Sequence, residues 1–451
     1  MKAVLAPAGG VGVLVLSGAA GAAALLAAAL ITSSLLPAFA VGSGLILLIS
    51  FAFRADDLLR LVPLGIALTP AVALIGSRAA DEFGALLVLG FMTLMVIAAL
   101  RIPLVAVFGI SETAVVIFGF GLLVGLTHGE GVGEASVIAR SLLPFFLAWI
   151  VGRLVARVSG SGHALWWTAV LFLAINAPVG ILEGLTATDL VVFPQTGLVE
   201  IGETGFARPN GFLSTDIDFA LSMTLCVAVL VGGPGEDRVW AIPVAMLGSV
   251  AVVLASFRTG WIVLGIIWFA WLIGRGARTW LLAGAVLLVA IPLLVQPVQE
   301  LAGSEYVQER VINQSNVFAR AVSFEQAWQL FVDDPIIGVG LNGFQVDPLV
   351  LAAPGVVVTP HNLWLGVLAE TGVAGAIGLL LFAVTTTTNC LRLARRRLTR
   401  STAARGVIWA CIVVLPFSLT FQILFVPMSI LLVGLIAGTA RGIVLADEGR
   451  A

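Results

Sequence analysis

Several short segments of this 451-residue chain carry side chains suited to chemistry on an anion. Phe206-Ala-Arg208-Pro209-Asn210-Gly211-Phe212 sets an arginine just ahead of an apolar run, and Ser256-Phe257-Arg258-Thr259-Gly260 sets another between two apolar runs. Arg310 and Arg320 follow in a polar stretch, which closes at Pro360-His361-Asn362-Leu363. A guanidinium is a planar fork that pairs with two phosphate oxygens at once. Histidine is the side chain whose ordinary pKa suits proton transfer near neutral pH. Each residue also has a plainer reading. Arg208 would pair with Glu200, Glu203 or a lipid headgroup, Arg258 would be a snorkelling arginine, and His361 would cap a helix. The other histidines, His128 and His163, fall in short connections away from the arginines, so the convergence concerns His361 alone.

Other patterns compete for attention. Asp216-Ile-Asp218 and Asp333-Asp334 resemble acidic pairs that hold a divalent metal, but carboxylates also favour helix N-termini, and capping of the helix that starts near Asp216 is the preferred reading. No metal is therefore expected, and no cofactor. Gly338-Val-Gly340-Leu-Asn-Gly343 fits the dinucleotide fingerprint letter for letter. It lacks the preceding strand and the βαβ unit that give the pattern meaning, and it reads better as a tight loop. Cys226, Cys390 and Cys411 lie in or beside apolar segments, with no disulfide framework and no zinc spacing. Glu112 sits inside an apolar run, a costly place for a carboxylate; either a function or an internal partner such as Arg140 accounts for it.

The elements that must position these residues are membrane helices. The chain is 60% hydrophobic and only 11% charged, with a mean hydropathy of +1.12, and a water-soluble surface of this size needs more charge than that. Its net charge of −2 gives no basis for a nucleic-acid partner. Apolar runs occur at 11–31, 35–53, 61–76, 84–100, 104–126, 135–152, 164–182, 216–231, 239–256, 259–274, 279–296, 371–391, 406–421 and 427–444. At roughly 20 residues per crossing these predict an all-α, polytopic, GT-C-like transmembrane protein of about 12–14 helices, one integral membrane domain over 1–451. The run from Val11 is expected to be the first span and not a cleaved signal.

Basic residues set the orientation, because cytoplasmic loops retain Lys and Arg. With both termini cytoplasmic, Lys2 and most of the arginines fall inside, including the run from Arg392 to Arg405. Only Arg78, Arg140, Arg208, Arg258, Arg310 and Arg320 are left outside. Two outer connections are long, 183–215 and 296–370, and Arg208, Arg258, Arg310 and Arg320 lie in or beside them. Long loops between packed elements usually carry function. Within the second, residues 318–331 place Ala321, Phe324, Trp328 and Phe331 on one face and Glu325, Gln326 and Gln329 largely on the other. That pattern predicts an amphipathic helix on the outer membrane surface, ended by Asp334-Pro335.

The ordered series RPNGF, SFRTG, Arg320 leading through Trp328 and Asp334-Pro335 to IIGVGLNGF, then HNLWLGVLAETGVAG, resembles the O-antigen ligase and polymerase superfamily of bacterial membrane proteins. The likeness is densest over about residues 200–385 and elsewhere amounts to helical character. It implies a glycan transferase at the outer face of the bacterial cytoplasmic membrane. The donor would be an undecaprenyl-diphosphate-linked glycan and the acceptor the sugar hydroxyl of a glycan or glycolipid, with inversion and without a metal. It further implies that Arg208 and Arg258 hold the diphosphate, that His361 is the general base, and that Arg320 is a phosphate or sugar contact. Arg310 and Asn362 are counted with Arg320 as substrate-binding residues. The span count exceeds the dozen expected of ligases and leaves ligase and polymerase both open.

The alternative from another class is a lipid-linked oligosaccharide flippase or other transporter. That would call for repeated halves, broken helices and polar groups at the bilayer midplane. Here the polar residues of interest sit in outer loops and the halves differ.

Overall fold

The computed structural model describes residues 66, 109–126, 143–186, 190, 209–213, 215–233, 238–255, 257–273, 315–347, 350, 360–395 and 403–449. Their regular elements are all helical: α1 (Ile110–Leu126), α2 (Leu143–Ser159), α3 (His163–Thr186), α4 (Asp216–Gly232), α5 (Arg238–Leu254), α6 (Arg258–Ile273), α7 (Ser315–Asp333), α8 (Leu363–Arg395), α9 (Ala403–Thr420) and α10 (Pro427–Glu448). By length and composition α3, α8 and α10 suffice to cross a bilayer, and α1, α5, α6 and α9 are shorter apolar helices. The protein is an all-α membrane protein. The spans expected at 11–31, 35–53, 84–100 and 279–296 lie outside the described residues, as does 61–76 apart from Ile66.

Elsewhere the apolar runs mark the helices closely, and where they differ the cause is local. The run at 135–152 becomes α2, which continues to Ser159 through Arg153 and Arg157. The extension is stable because Glu112, at the start of α1, neutralises Arg153. Its Oε1 accepts from Arg153 Nε and from Arg441 Nε, each at 3.0 Å, and its Oε2 accepts from Arg441 Nη2 at 3.2 Å. Among the described residues the internal partners of Glu112 are this pair, and the three side chains are buried; Arg140, the partner expected, lies outside the described residues.

α10 is the centre of the bundle, buried along its whole apolar length. Its glycines at 434, 438 and 442 lie against the backbone of Phe145, Trp149 and Arg153 on α2, and any Cβ there would strike it. Small residues four apart let two helix backbones approach closely, which is the main source of helix–helix attraction where no hydrophobic effect separates protein from lipid. Asp218, in the first turn of α4, caps α10: its carboxylate accepts from the backbone N–H of Met428 (3.1 Å) and Ser429 (2.8 Å) and from the hydroxyls of Ser429 and Ser222. Thr215, not either aspartate, is the N-cap of α4. The expected capping role is thus real but serves the neighbouring helix.

Helix ends sort into two faces. One holds Glu112, Arg153, Arg441, Arg392 and Glu448. The other holds the start of α6, the start of α8, the end of α9 and the start of α10. On that second face α8 begins at Leu363, well ahead of the apolar run at 371–391, so residues 363–370 belong to the helix and not to the loop that was expected to reach 370. Gly372, at φ 59°, breaks α8. The backbone groups freed by the break are taken up by the segment that follows α7. Val373 N–H donates to the Pro335 carbonyl (2.9 Å) and Ala374 N–H to Ile336 (3.4 Å). From the strap, Val339 N–H donates to Ala369 (2.9 Å) and Gly340 N–H to Glu370 (3.0 Å). Gly338, at φ 71°, lies so close to the Glu370 backbone that no Cβ would fit. The apparent nucleotide motif is this strap, and the helix cannot be broken there without it.

Candidate functional site

α7 fulfils the expectation of a helix in the second loop, though its contacts differ from the expected face. Ala327 and Leu330 are buried with Ala369, and Ser323 and Gln326 are buried as well. Trp328 is 54% exposed and Val332 56%, so this stripe points away from the protein. An exposed aromatic stripe on a helix docked by its other side suits a membrane interface. The docking fixes Arg320, about two turns before the buried Ala327, near the start of α8.

There the site converges on one ring. The Arg320 guanidinium carbon lies 5.7 Å from the centre of the Phe421 ring. His361 meets the same ring at 5.6 Å and 89°, and Phe257, the residue before Arg258, meets it at 4.7 Å. Arg258 opens α6 and is near enough for its charge to act on Arg320: burial first, then Arg258, draws the Arg320 guanidinium below its ordinary pKa. Among the described residues neither arginine has a carboxylate partner. Burial, and after it the Arg320 charge, pulls the His361 imidazole down to about 4, so it is neutral and able to accept a proton at ordinary pH.

His361 does not cap α8. Asn362 does: its Oδ1 accepts from the N–H of Trp364 (2.9 Å) and Leu365 (3.1 Å), and its Nδ2 donates to the Leu419 carbonyl at 3.2 Å. The substrate contact expected of Asn362 therefore has to share a side chain already engaged in the cap. His361 itself is held at φ 35°, a left-handed conformation that a non-glycine residue adopts at a cost. Its Nδ1 is buried with no hydrogen-bond partner among the described residues.

Arg208 and Arg310 lie outside the described residues. The segment that carries Arg208 is nevertheless anchored, because the N–H groups of Asn210 and Gly211 donate to Glu183 Oε2 at the end of α3 (3.1 and 2.7 Å). Glu370, fully buried on α8, accepts from Gln422 Nε2 at 3.0 Å. Beneath the start of α8 a cavity of about 130 Å³ runs between α8, α9 and α10, lined mainly by apolar side chains such as Trp364, Phe382, Leu415 and Val433. Of the residues the sequence pointed to, Arg258, Arg320 and His361 are brought together here, and Phe421, Gln422, Glu183 and Glu370, which it did not single out, lie with them or near them.

A helical membrane protein with two arginines that have no carboxylate partner among the described residues, and a neutral histidine on the same face, is the class that fold and site define. Residues 243–380 match the family model described as O-antigen ligase, and that match supports the resemblance of the chain to the O-antigen ligase and polymerase superfamily. The match takes in Arg258, Arg310, Arg320, His361 and Asn362 and leaves out Arg208. No curated protein matches the chain. The match points to glycan transfer of the O-antigen ligase type.

Proposed function

We propose that the chain transfers a glycan from undecaprenyl diphosphate to a sugar hydroxyl at the outer face of the cytoplasmic membrane, as a ligase or a polymerase. The observation that carries this reading is the meeting of Arg320 and a neutral His361 at Phe421, with Arg258 near enough for its charge to act on Arg320 and no described carboxylate to satisfy either arginine. In the reaction the acceptor oxygen attacks the anomeric carbon from the side opposite the diphosphate. A new C–O bond forms, the bond from that carbon to the phosphate oxygen breaks, and the hydroxyl proton passes to the His361 imidazole. Inversion follows from the single displacement. Negative charge gathers on the departing lipid diphosphate, where paired guanidiniums aimed at it lower the barrier most, so the step calls for no metal ion. Arg208, on the loop anchored by Glu183, and Arg310 would extend the grip along the diphosphate or the first sugars. Asn362 serves chiefly by capping α8 and so holding His361 in place. The apolar cavity below gives the first isoprenoid carbons a seat.

The arginines provide the test. Arg258→Lys and Arg320→Lys keep the charge and lose the fork, and each should lower single-turnover transfer by about ten-fold or more, since a charge-assisted hydrogen bond is worth roughly 1.5–3 kcal/mol. Unchanged rates in both lysine variants, measured with a lipid-diphosphate donor in proteoliposomes, would remove the diphosphate from this face.

A further inference from the structure

The end of α9 and the turn after it lie beyond the region that matches the family, yet their residues reach different parts of the site. Ser418 Oγ accepts from Trp364 Nε1 at 3.3 Å, and the Leu419 carbonyl accepts from Asn362 at 3.2 Å. The Thr420 hydroxyl pairs with that of Thr259 at 3.3 Å, beside Arg258. Gln422 donates to Glu370 at 3.0 Å. Between them, Phe421 meets Phe257, Arg320 and His361 at once. The tethers on either side leave that ring little room to move.

A histidine that works as a base normally has its second nitrogen held by an orienting group. His361 Nδ1 has none among the described residues, so packing has to orient the imidazole. The surface it packs on, at nearly a right angle, is Phe421. The same ring offers its electron-rich π system to the Arg320 guanidinium. We propose that Phe421 is the positioning residue of this site, fixing the imidazole of His361 and the guanidinium of Arg320 relative to each other through one aromatic ring. The proposal rests on the transferase reading above and deepens it. Phe421 itself donates and accepts nothing in the reaction.

The ring is separable from its bulk by substitution. Phe421→Leu keeps an apolar side chain and removes the π face; Phe421→Tyr and Phe421→Trp keep the face. Two readouts are needed. The first is transfer from a lipid-diphosphate glycan in proteoliposomes, which should fall about ten-fold or more in Phe421→Leu and stay near the parent rate in the aromatic variants. The second is the titration of His361, followed by NMR of labelled imidazoles and assigned with His361→Ala, which is practical in a chain with three histidines. The charges facing His361 from the packed helices are Arg320 on α7 and, behind it, Arg258 on α6. With the ring gone the imidazole gains water and Arg320 swings away. Its midpoint should climb from about 4 toward the ordinary 6.5 in Phe421→Leu and stay low in Phe421→Tyr.

A purely structural role would cut the yield or thermal stability of Phe421→Leu without moving that titration. An unmoved titration in folded Phe421→Leu overturns the proposal whatever its rate. If that variant does not fold, Phe421→Met fills the same space and carries the same expectation. The titration arm needs no turnover, so a failure of the transferase reading, with no glycan moved by any variant, leaves it decisive.

Discussion

Two pairs of arginines in this molecule are handled in opposite ways. Arg153 and Arg441, on one face, share Glu112 through three hydrogen bonds of 3.0–3.2 Å. Arg258 and Arg320, on the other, lie within range of each other's charge, Arg320 against Phe421, with no described carboxylate to offset them. A buried guanidinium is costly unless it is paired. The first pair meets that requirement internally and ties α1, α2 and α10 together. The second leaves it unmet, which is the condition of a site built to receive an anion. Residue type alone does not separate structure from function here; the presence or absence of an internal counter-charge does.

The contrast is most sharply tested by removing its elements. Glu112→Ala strands two buried cations and should lower stability in detergent by about 3–5 kcal/mol, read from chemical or thermal unfolding. Arg258→Leu removes a charge without a described partner, so it should leave the unfolding midpoint close to the parent's while abolishing transfer. If both changes destabilised alike, Arg258 and Arg320 would be structural and the contrast would be lost. A smaller effect is expected at the cap. Asn362→Ala should cost about 1 kcal/mol, because two backbone N–H groups of α8 lose their acceptor.

Much of this was legible in the sequence. Apolar runs located α3 to α6, α9 and α10 within a few residues, with α2 and α8 reaching well beyond theirs, and the positive-inside bias placed Arg258 and Arg320 apart from Arg153 and Arg441 before any contact was known. The segment 318–331 was readable as a helix, but its docking face was not. Ala327 and Leu330 pack inward through fit to Ala369, while the more hydrophobic Trp328 and Val332 are left outside. Periodicity reports how apolar a face is, not which partner it meets, and in a membrane the most apolar face belongs to lipid. The strap of Gly338 and Gly340 across the break at Gly372 was hidden for a similar reason: its bonds join residues far apart in sequence. Phe421 was unreadable because one phenylalanine among 25 carries no signal until its neighbours are known.

The central claim is that His361 takes the proton, and the pH dependence of transfer in His361→Ala and the parent protein tests it most directly. General bases contribute about 10²–10⁴-fold, so the alanine variant should retain donor binding and lose transfer by that factor. In the parent, kcat/KM reports the free protein, whose imidazole titrates at about 4. Since the neutral form is the active one, kcat/KM should hold as pH falls through 6.5 and drop only near 4. A bound diphosphate would offset Arg320 and raise the imidazole pKa, so the acid limb of kcat should lie higher than that of kcat/KM. An alanine variant transferring at the parent rate, or an acid limb that survives unchanged in it, would contradict the account.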